Sequence, residues 1–178
     1  MSQLIVLLGL RCAGKSSVGR ELARELGLGF VDLDHELAVL EGSGRAAGEL
    51  LAELGEERFR ELEAAALSAA LARDALVLAT GGGVVEREEN RTLLGDRAQL
   101  VWLDASDEVL LKRRANDETR RPLLAGVDPL EELSLVGPRR RALFQALAGG
   151  AYETGGIDIF AIAQDLAKGL RGEAGADG

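Results

Sequence analysis

The chain has one cysteine and one histidine, which excludes an intramolecular disulfide framework and leaves too few ligands for a structural zinc site. A lone cysteine also fits a reducing compartment, so the expected location is the cytoplasm. Proline occurs three times, and with hydrophobic residues at 47% the 23 glycines do not signal disorder. No apolar run approaches the roughly 18 residues of a membrane span. The opening MSQLIVLLGL has no basic lead and no small-residue cleavage pattern, and it runs into a glycine-rich turn; it reads as a strand, not a leader. Positive charge is also short, with 21 Lys and Arg against 30 Asp and Glu, a net −9. That balance argues against sequence-blind nucleic-acid binding and against docking on anionic lipid. What remains is 178 residues with apolar content sufficient for one domain, which typically buries roughly 70% of its unfolded surface.

Short β-rich runs alternate with longer helical ones, the pattern of parallel strands joined by crossover helices. Leu4 to Leu8 is a continuous apolar strand, as expected when both faces of a sheet are covered. A helix follows from Lys15 to Leu26, with Val18, Leu22 and Leu26 on one face and Gly27 and Gly29 as stops. Phe30 to Leu33 reads as the second strand, and the segment to Arg73 as helical with breaks near Gly42 to Gly44 and at Gly55. Leu76 to Ala79, Leu100 to Leu103 and Tyr152 to Thr154 read as strands three to five. Ser106 is an N-cap with acids in the first turn behind it. Asn116 to Gly126 is a polar, arginine-bearing loop. Asp128 to Leu147 is helical, with a break or kink expected at Gly137-Pro138. Asp158 to Leu170 is the last helix, and residues 171–178 are expected to form a disordered tail.

The strongest motif is GLRCAGKSS, Gly9 to Ser17, which matches GxxxxGK[ST]. Its context gives it weight: it follows an apolar strand and opens a helix. Glycine-permitted turns aim backbone N–H groups inward and the helix N-terminus adds partial positive charge, so phosphate is held with little reorganisation. Lys15 then reaches the β- and γ-phosphates of a nucleotide, and the Ser16 hydroxyl is placed to ligate Mg2+. Lys15 is one of three lysines; every other basic side chain here is arginine. Cys12 is either a small residue tolerated in the loop or a thiol sensitised by the helix N-terminus.

Asp32 and Asp34 end the second strand, where a doubly wound sheet binds its ligands. In an extended segment both would point the same way, one toward the Mg2+ shell and the other toward a substrate hydroxyl, or both would be solvated helix caps. His35 beside them reads as a surface residue. Gly81-Gly82-Gly83 follows the third strand and permits close approach of a ligand to backbone. Between Leu111 and Gln145 lie eight basic and five acidic residues, +3 against −12 for the rest. Mobile guanidinium groups there suit phosphoryl transfer, which must neutralise charge and exclude water. Arg113, Arg120, Arg139 and Arg141 can individually belong to a solvated helical face.

Taken in order, GLRCAGKSS, DLD, GEERFRELE, LATGGGVV, RRPLLAG and an arginine four residues before an aromatic resemble the shikimate kinase family over nearly the whole chain. The resemblance implies an α/β P-loop kinase fold, a five-stranded parallel sheet in order 2-3-1-4-5 flanked by helices, as one domain over residues 1–170. It implies a substrate-binding region at about 33–62 and a lid at about 113–126. The implied reaction moves the ATP γ-phosphoryl group to the 3-hydroxyl of shikimate, the fifth step of the chorismate pathway. Implied nucleotide contacts are Gly9, Cys12, Ala13, Gly14, Lys15, Ser16, Ser17, Arg114 packed on the adenine, and Arg121 as the lid arginine reaching the transferring phosphate. Asp32 is implied to act on Mg2+ through water, alongside Ser16. Asp34 is implied to bind the shikimate hydroxyls and to orient or deprotonate the nucleophile. Arg60 and Arg140 are implied to hold the shikimate carboxylate, with Glu63 orienting Arg60, and Gly82 and Gly83 to contact substrate through backbone N–H groups.

The family usually has Gly at Cys12, Thr at Ser17 and Tyr at Phe144, and none of these departures removes an implied site residue. Register across Arg139, Arg140 and Arg141 hangs on matching Phe144. Two other readings have sequence features against them. A ligand-sensing regulator without turnover conflicts with the retained site residues and with a first strand starting within five residues of Met1. A small kinase for another hydroxylated acceptor conflicts with the FR pair, GGG and RPLL together. A monomer is expected, since no large apolar stripe is left unassigned.

Overall fold

The computed structural model describes residues 3–42, 44–116 and 128–174, with side chains to Arg171. Five parallel strands form one sheet: β1 (Leu4–Leu8), β2 (Gly29–Asp32), β3 (Leu76–Ala79), β4 (Gln99–Asp104) and β5 (Ala151–Glu153), in the order β2-β3-β1-β4-β5. That is the expected order. Helices α1 (Lys15–Leu26), α2 (Leu33–Glu41), α3 (Ala47–Leu54), α4 (Glu56–Leu71), α5 (Glu88–Arg97), α6 (Asp107–Ala115), α7 (Pro129–Ala148) and α8 (Ile159–Ala174) surround it. β1 is buried along its whole length, as its unbroken apolar run requires, and pairs with β3 on one side and β4 on the other. The strand order therefore reverses at β1, and its carboxyl end is the switch point at which such sheets open a crevice. α1 packs close on the sheet because Gly19 has no side chain; a Cβ there would stand 2.7 Å from the Phe30 ring.

Several elements differ from the sequence reading. β2 starts and ends one residue earlier, because Asp32 caps α2: its Oδ1 accepts from the Asp34 N–H at 3.1 Å, and Leu33 opens the helix. β4 is longer by a residue at each end, and β5 lies one residue earlier, with the Thr154 N–H still bonding the Asp104 carbonyl of β4 at 2.8 Å. α5 and the 3-10 turn before it (Val84–Glu86) were not read from sequence at all. Only Asn90 and Leu94 of α5 are buried, too few to give an apolar period. α7 runs through Gly137-Pro138 as one helix. A glycine before the proline removes the Cβ that makes the preceding residue resist helical backbone. α8 continues to Ala174, so the tail expected from residue 171 starts as helix; the Arg171 guanidinium donates to the Glu25 carbonyl and holds this turn against α1. Residues 175–178 lie outside the described residues. No helix among the described residues is long and apolar enough to cross a membrane.

Candidate active site

The carboxyl ends of β1, β2, β3 and β5, with the loops that follow them, border one cavity of about 910 Å³. The loop after β1 forms one wall. It turns through left-handed backbone at Cys12 (φ 65°) and Gly14 (φ 95°), and Gly14 starts α1. A non-glycine residue at φ 65° costs about 1 kcal/mol, the physical reason a glycine suits that place. Cys12, Ala13, Gly14, Lys15, Ser16 and Ser17 all line the cavity, with Arg11, to which the sequence reading gave no role. Gly9 does not. A Cβ on Gly9 would fall 2.2 Å from the Leu103 carbonyl oxygen, so the close passage of β4 by itself requires a glycine here.

Lys15 is 8% exposed, and its ammonium donates to the carbonyl oxygens of Gly9 at 2.9 Å and Leu10 at 2.7 Å. The Ser16 hydroxyl donates to Asp32 Oδ2 at 2.6 Å. Two hard oxygen donors thus stand side by side at the start of α1, the donor chemistry Mg2+ takes while keeping most of its coordination for water and phosphate. No cluster of three or more acidic, histidine or cysteine residues suited to a metal occurs among the described residues.

The adjoining wall belongs to the acceptor candidates. Asp34, from the first turn of α2, and Arg60 and Glu63, from α4, face Gly81, Gly82 and Gly83 after β3. These glycines supply space and not unusual backbone. A Cβ on Gly81 would lie 3.1 Å from both Asp34 Oδ1 and Glu63 Oε1, and one on Gly83 would lie 2.5 Å from both terminal nitrogens of Arg60. Arg60 Nη1 donates to Glu63 Oε2 at 2.8 Å, and both side chains are nearly enclosed, at 12% and 3% exposed. Burial pushes the Glu63 carboxyl above the usual carboxylate range, and the Arg60 guanidinium opposes it.

The run Arg139-Arg140-Arg141 separates cleanly. Arg141 turns away to Asp104 at 2.7 Å and Asp107 at 2.7 Å, Arg139 is 70% exposed, and Arg140 alone of the three lines the cavity. The Phe144 register therefore selects the residue that faces the site, and Phe144 itself is fully buried beside Trp102 with ring centroids 6.0 Å apart. His35 is exposed, as expected.

Two expectations shift. Asp32 and Asp34 both line the cavity, but as strand end and helix start, not as alternate residues of one strand. Arg114 is not among the cavity-lining residues; its Nη2 donates to Glu132 Oε2 on α7 at 2.8 Å, and both side chains are largely buried. Its neighbour Arg113, open to reading as a solvated residue, is part-buried and tied to the phosphate loop. It donates to the Thr154 carbonyl at 2.6 Å, the Thr154 hydroxyl at 3.0 Å and the Cys12 carbonyl at 3.3 Å. The Thr154 hydroxyl in turn reaches the carbonyls of Ala13 at 3.2 Å and Asp104 at 3.0 Å. These contacts fix two successive peptide planes of the loop from outside. Arg113→Ala is expected to raise KM for the nucleotide about tenfold and leave KM for the acceptor unchanged. Initial rates with each substrate varied in turn check this, and an equal rise in both would refute it. Contacts spanning 101 and 141 residues leave no local sequence signal. Arg120, Arg121 and all but the first residue of the expected loop at Asn116 to Gly126 lie outside the described residues.

A glycine-rich loop between a buried strand and a helix, with its lysine and serine, in a 2-3-1-4-5 parallel sheet, defines a P-loop kinase. The shikimate kinase family model matches residues 11–168. A curated shikimate kinase of Symbiobacterium thermophilum is 45% identical over 145 residues, covering 81% of this chain and 82% of its own. One from Moorella thermoacetica is 39% identical over 167 residues, 94% of each chain. The solved shikimate kinase of Acinetobacter baumannii in complex with shikimate superposes with a TM-score of 0.88 at 34% identity, over 97% of this chain and 95% of that one. The chain belongs to the shikimate kinase family, and with it to the enzymes that phosphorylate shikimate.

Proposed function

We propose that the chain transfers the γ-phosphoryl group of ATP to the 3-hydroxyl of shikimate, giving shikimate 3-phosphate and ADP, in the chorismate pathway. One observation carries the assignment of roles: a single cavity holds a phosphate loop on one wall and a carboxylate with two braced arginines on the other. Lys15 exchanges its carbonyl partners for phosphate oxygens. Ser16 and Asp32 would hold Mg2+, Asp32 through water, and the bound ion would offset charge on the phosphates. Asp34 accepts the proton of the attacking hydroxyl or orients it; the hydroxyl oxygen bonds the γ-phosphorus as the bond to the β-phosphate oxygen breaks and ADP leaves. Arg60 and Arg140 grip the carboxylate of the acceptor, for which planar guanidinium groups are suited. Gly82 and Gly83 let the acceptor approach backbone N–H groups.

Arg114 can keep the role expected of it, since a carboxylate on the edge of a guanidinium leaves its flat faces open for a nucleobase. The role of Arg121 on the transferring phosphate rests on the RRPLLAG match alone. We place the protein in the cytoplasm on the strength of its lone cysteine, without nucleic-acid or membrane partners on the strength of its net −9, and as a monomer because no large apolar stripe of the sequence is left unassigned. The test is coupled ADP release with Mg-ATP and a panel of acceptors that includes shikimate, gluconate and nucleosides. ADP release that depends on shikimate is expected. Turnover only with another acceptor, or shikimate binding without ADP release, would overturn the proposal.

A further inference from the structure

The 3-10 turn behind the three glycines carries a carboxylate that belongs to no motif, Glu86. Glu86 Oε1 accepts from Arg140 Nε at 2.9 Å, and its Oε2 stands 2.6 Å from Arg139 Nη2. Glu86 and Arg140 are 16% and 11% exposed, so the contact with Arg140 is largely shielded from water. Glu86 does not line the cavity; Arg140 does.

The turn that presents Glu86 is itself fastened. The Glu86 N–H donates to the Gly83 carbonyl at 3.0 Å. From α5, Asn90 Nδ2 donates to the Val84 carbonyl at 2.9 Å, and Arg91 Nη1 donates to the carbonyls of Val85 at 2.8 Å and Glu86 at 3.1 Å. A carboxylate on a fixed backbone is a fixed reference for whatever it holds. It holds Arg140 by Nε, the inner edge of the guanidinium, and sets the rotation of the plane while the two terminal nitrogens stay available to a bidentate acceptor. Arg60 is also braced by a glutamate, but through a terminal nitrogen: its Nη1 donates to Glu63 Oε2. Glu86 also sits between two adjacent like charges, Arg139 and Arg140, which would otherwise repel each other along α7.

We infer that Glu86 is a positioning residue, which sets the affinity for the acceptor's carboxylate by orienting Arg140. The inference rests on the reading that Arg140 receives that carboxylate. Glu86→Ala is expected to raise KM for shikimate about tenfold, with kcat and KM for ATP each within about twofold of the parent. Glu86→Gln keeps an acceptor oxygen without the charge, and a rise of about threefold is expected. Thermal unfolding of both variants establishes that they fold.

Two comparisons distinguish positioning from general loosening. In an Arg140→Ala background, adding Glu86→Ala is expected to cost nothing further. With the methyl ester of shikimate, which presents no carboxylate charge, the parent and Glu86→Ala are expected to share one KM. A full tenfold penalty in the Arg140→Ala background, or on the ester, overturns the inference. Absence of parent turnover with shikimate would sink the acceptor reading instead, whereas parent turnover with an unshifted Glu86→Ala KM sinks the assignment of Glu86 alone.

Discussion

Lys15→Ala is expected to lower turnover by about a thousandfold or more, the largest effect of any single substitution here. The side chain is buried at the start of α1, and its ammonium is held by two carbonyls of its own loop. It is therefore already largely desolvated before any nucleotide arrives, and on binding it trades two carbonyls for phosphate oxygens. A charge already out of bulk water is worth most where negative charge shifts between oxygens during transfer. The alanine variant also leaves the Gly9 and Leu10 carbonyls without that donor, at a cost in stability of about 1 to 2 kcal/mol. The two consequences are separable. Single-turnover rates at saturating ATP and shikimate report the chemical step, and the unfolding midpoint reports the loop. If the variant kept more than about a tenth of parent turnover while folded, Lys15 would be a structural clasp of the loop and not a phosphate ligand.

The fate of Lys15 was legible in the sequence because everything it needs is local. A buried strand, a turn of fixed length and a helix start within one stretch from Leu4 to Leu26 define the loop. The same holds for Asp34 and for the glycines, each placed by the end of a strand. What stayed hidden is what depends on distant chain. Arg113 looked like a helix-surface residue because its partners, Cys12 and Thr154, are 101 and 41 positions away. Glu86 met no motif because its meaning comes from Arg140, 54 positions on. α5 gave no period because a helix that buries two residues has none to show. The choice among three consecutive arginines needed the helix phase of α7, which decides that Arg141 faces Asp104 and Arg140 faces the cavity. Gly9 carries a second constraint that its motif position does not show: the atom that forbids a side chain there is a carbonyl of β4. Motifs report what a segment can do alone; orientation within the site is a property of the packed sheet.

Gly83→Ala is expected to damage acceptor binding far more than stability. The added methyl would sit 2.5 Å from both terminal nitrogens of Arg60 and 2.8 Å from the carbon between them, too close for any stable contact. Something must move. The backbone of Gly83 has an ordinary negative φ, so alanine is not strained there, and the obstructing atoms are the end of a flexible side chain. Arg60 therefore yields, and the expected loss of stability is about 1 kcal/mol. By yielding, however, it leaves its contact with Glu63 and its aim at the acceptor. Glu63 is almost fully buried, and burial already raises its pKa against the pull of Arg60; deprived of that partner it takes up a proton more readily. KM for shikimate is expected to rise by about a hundredfold, with KM for ATP unchanged, because the phosphate loop is on the other wall. Gly81→Ala should rank below it, since its methyl would meet single oxygens of Asp34 and Glu63 at 3.1 Å, which can give by a few tenths of an ångström. Gly82→Ala faces backbone at 3.4 Å and should cost least in acceptor binding. Steady-state constants for the three variants test that order directly. An acceptor KM for Gly83→Ala equal to that of Gly82→Ala would mean that Arg60 does not need its present place, and the carboxylate grip would have to be assigned to Arg140 alone.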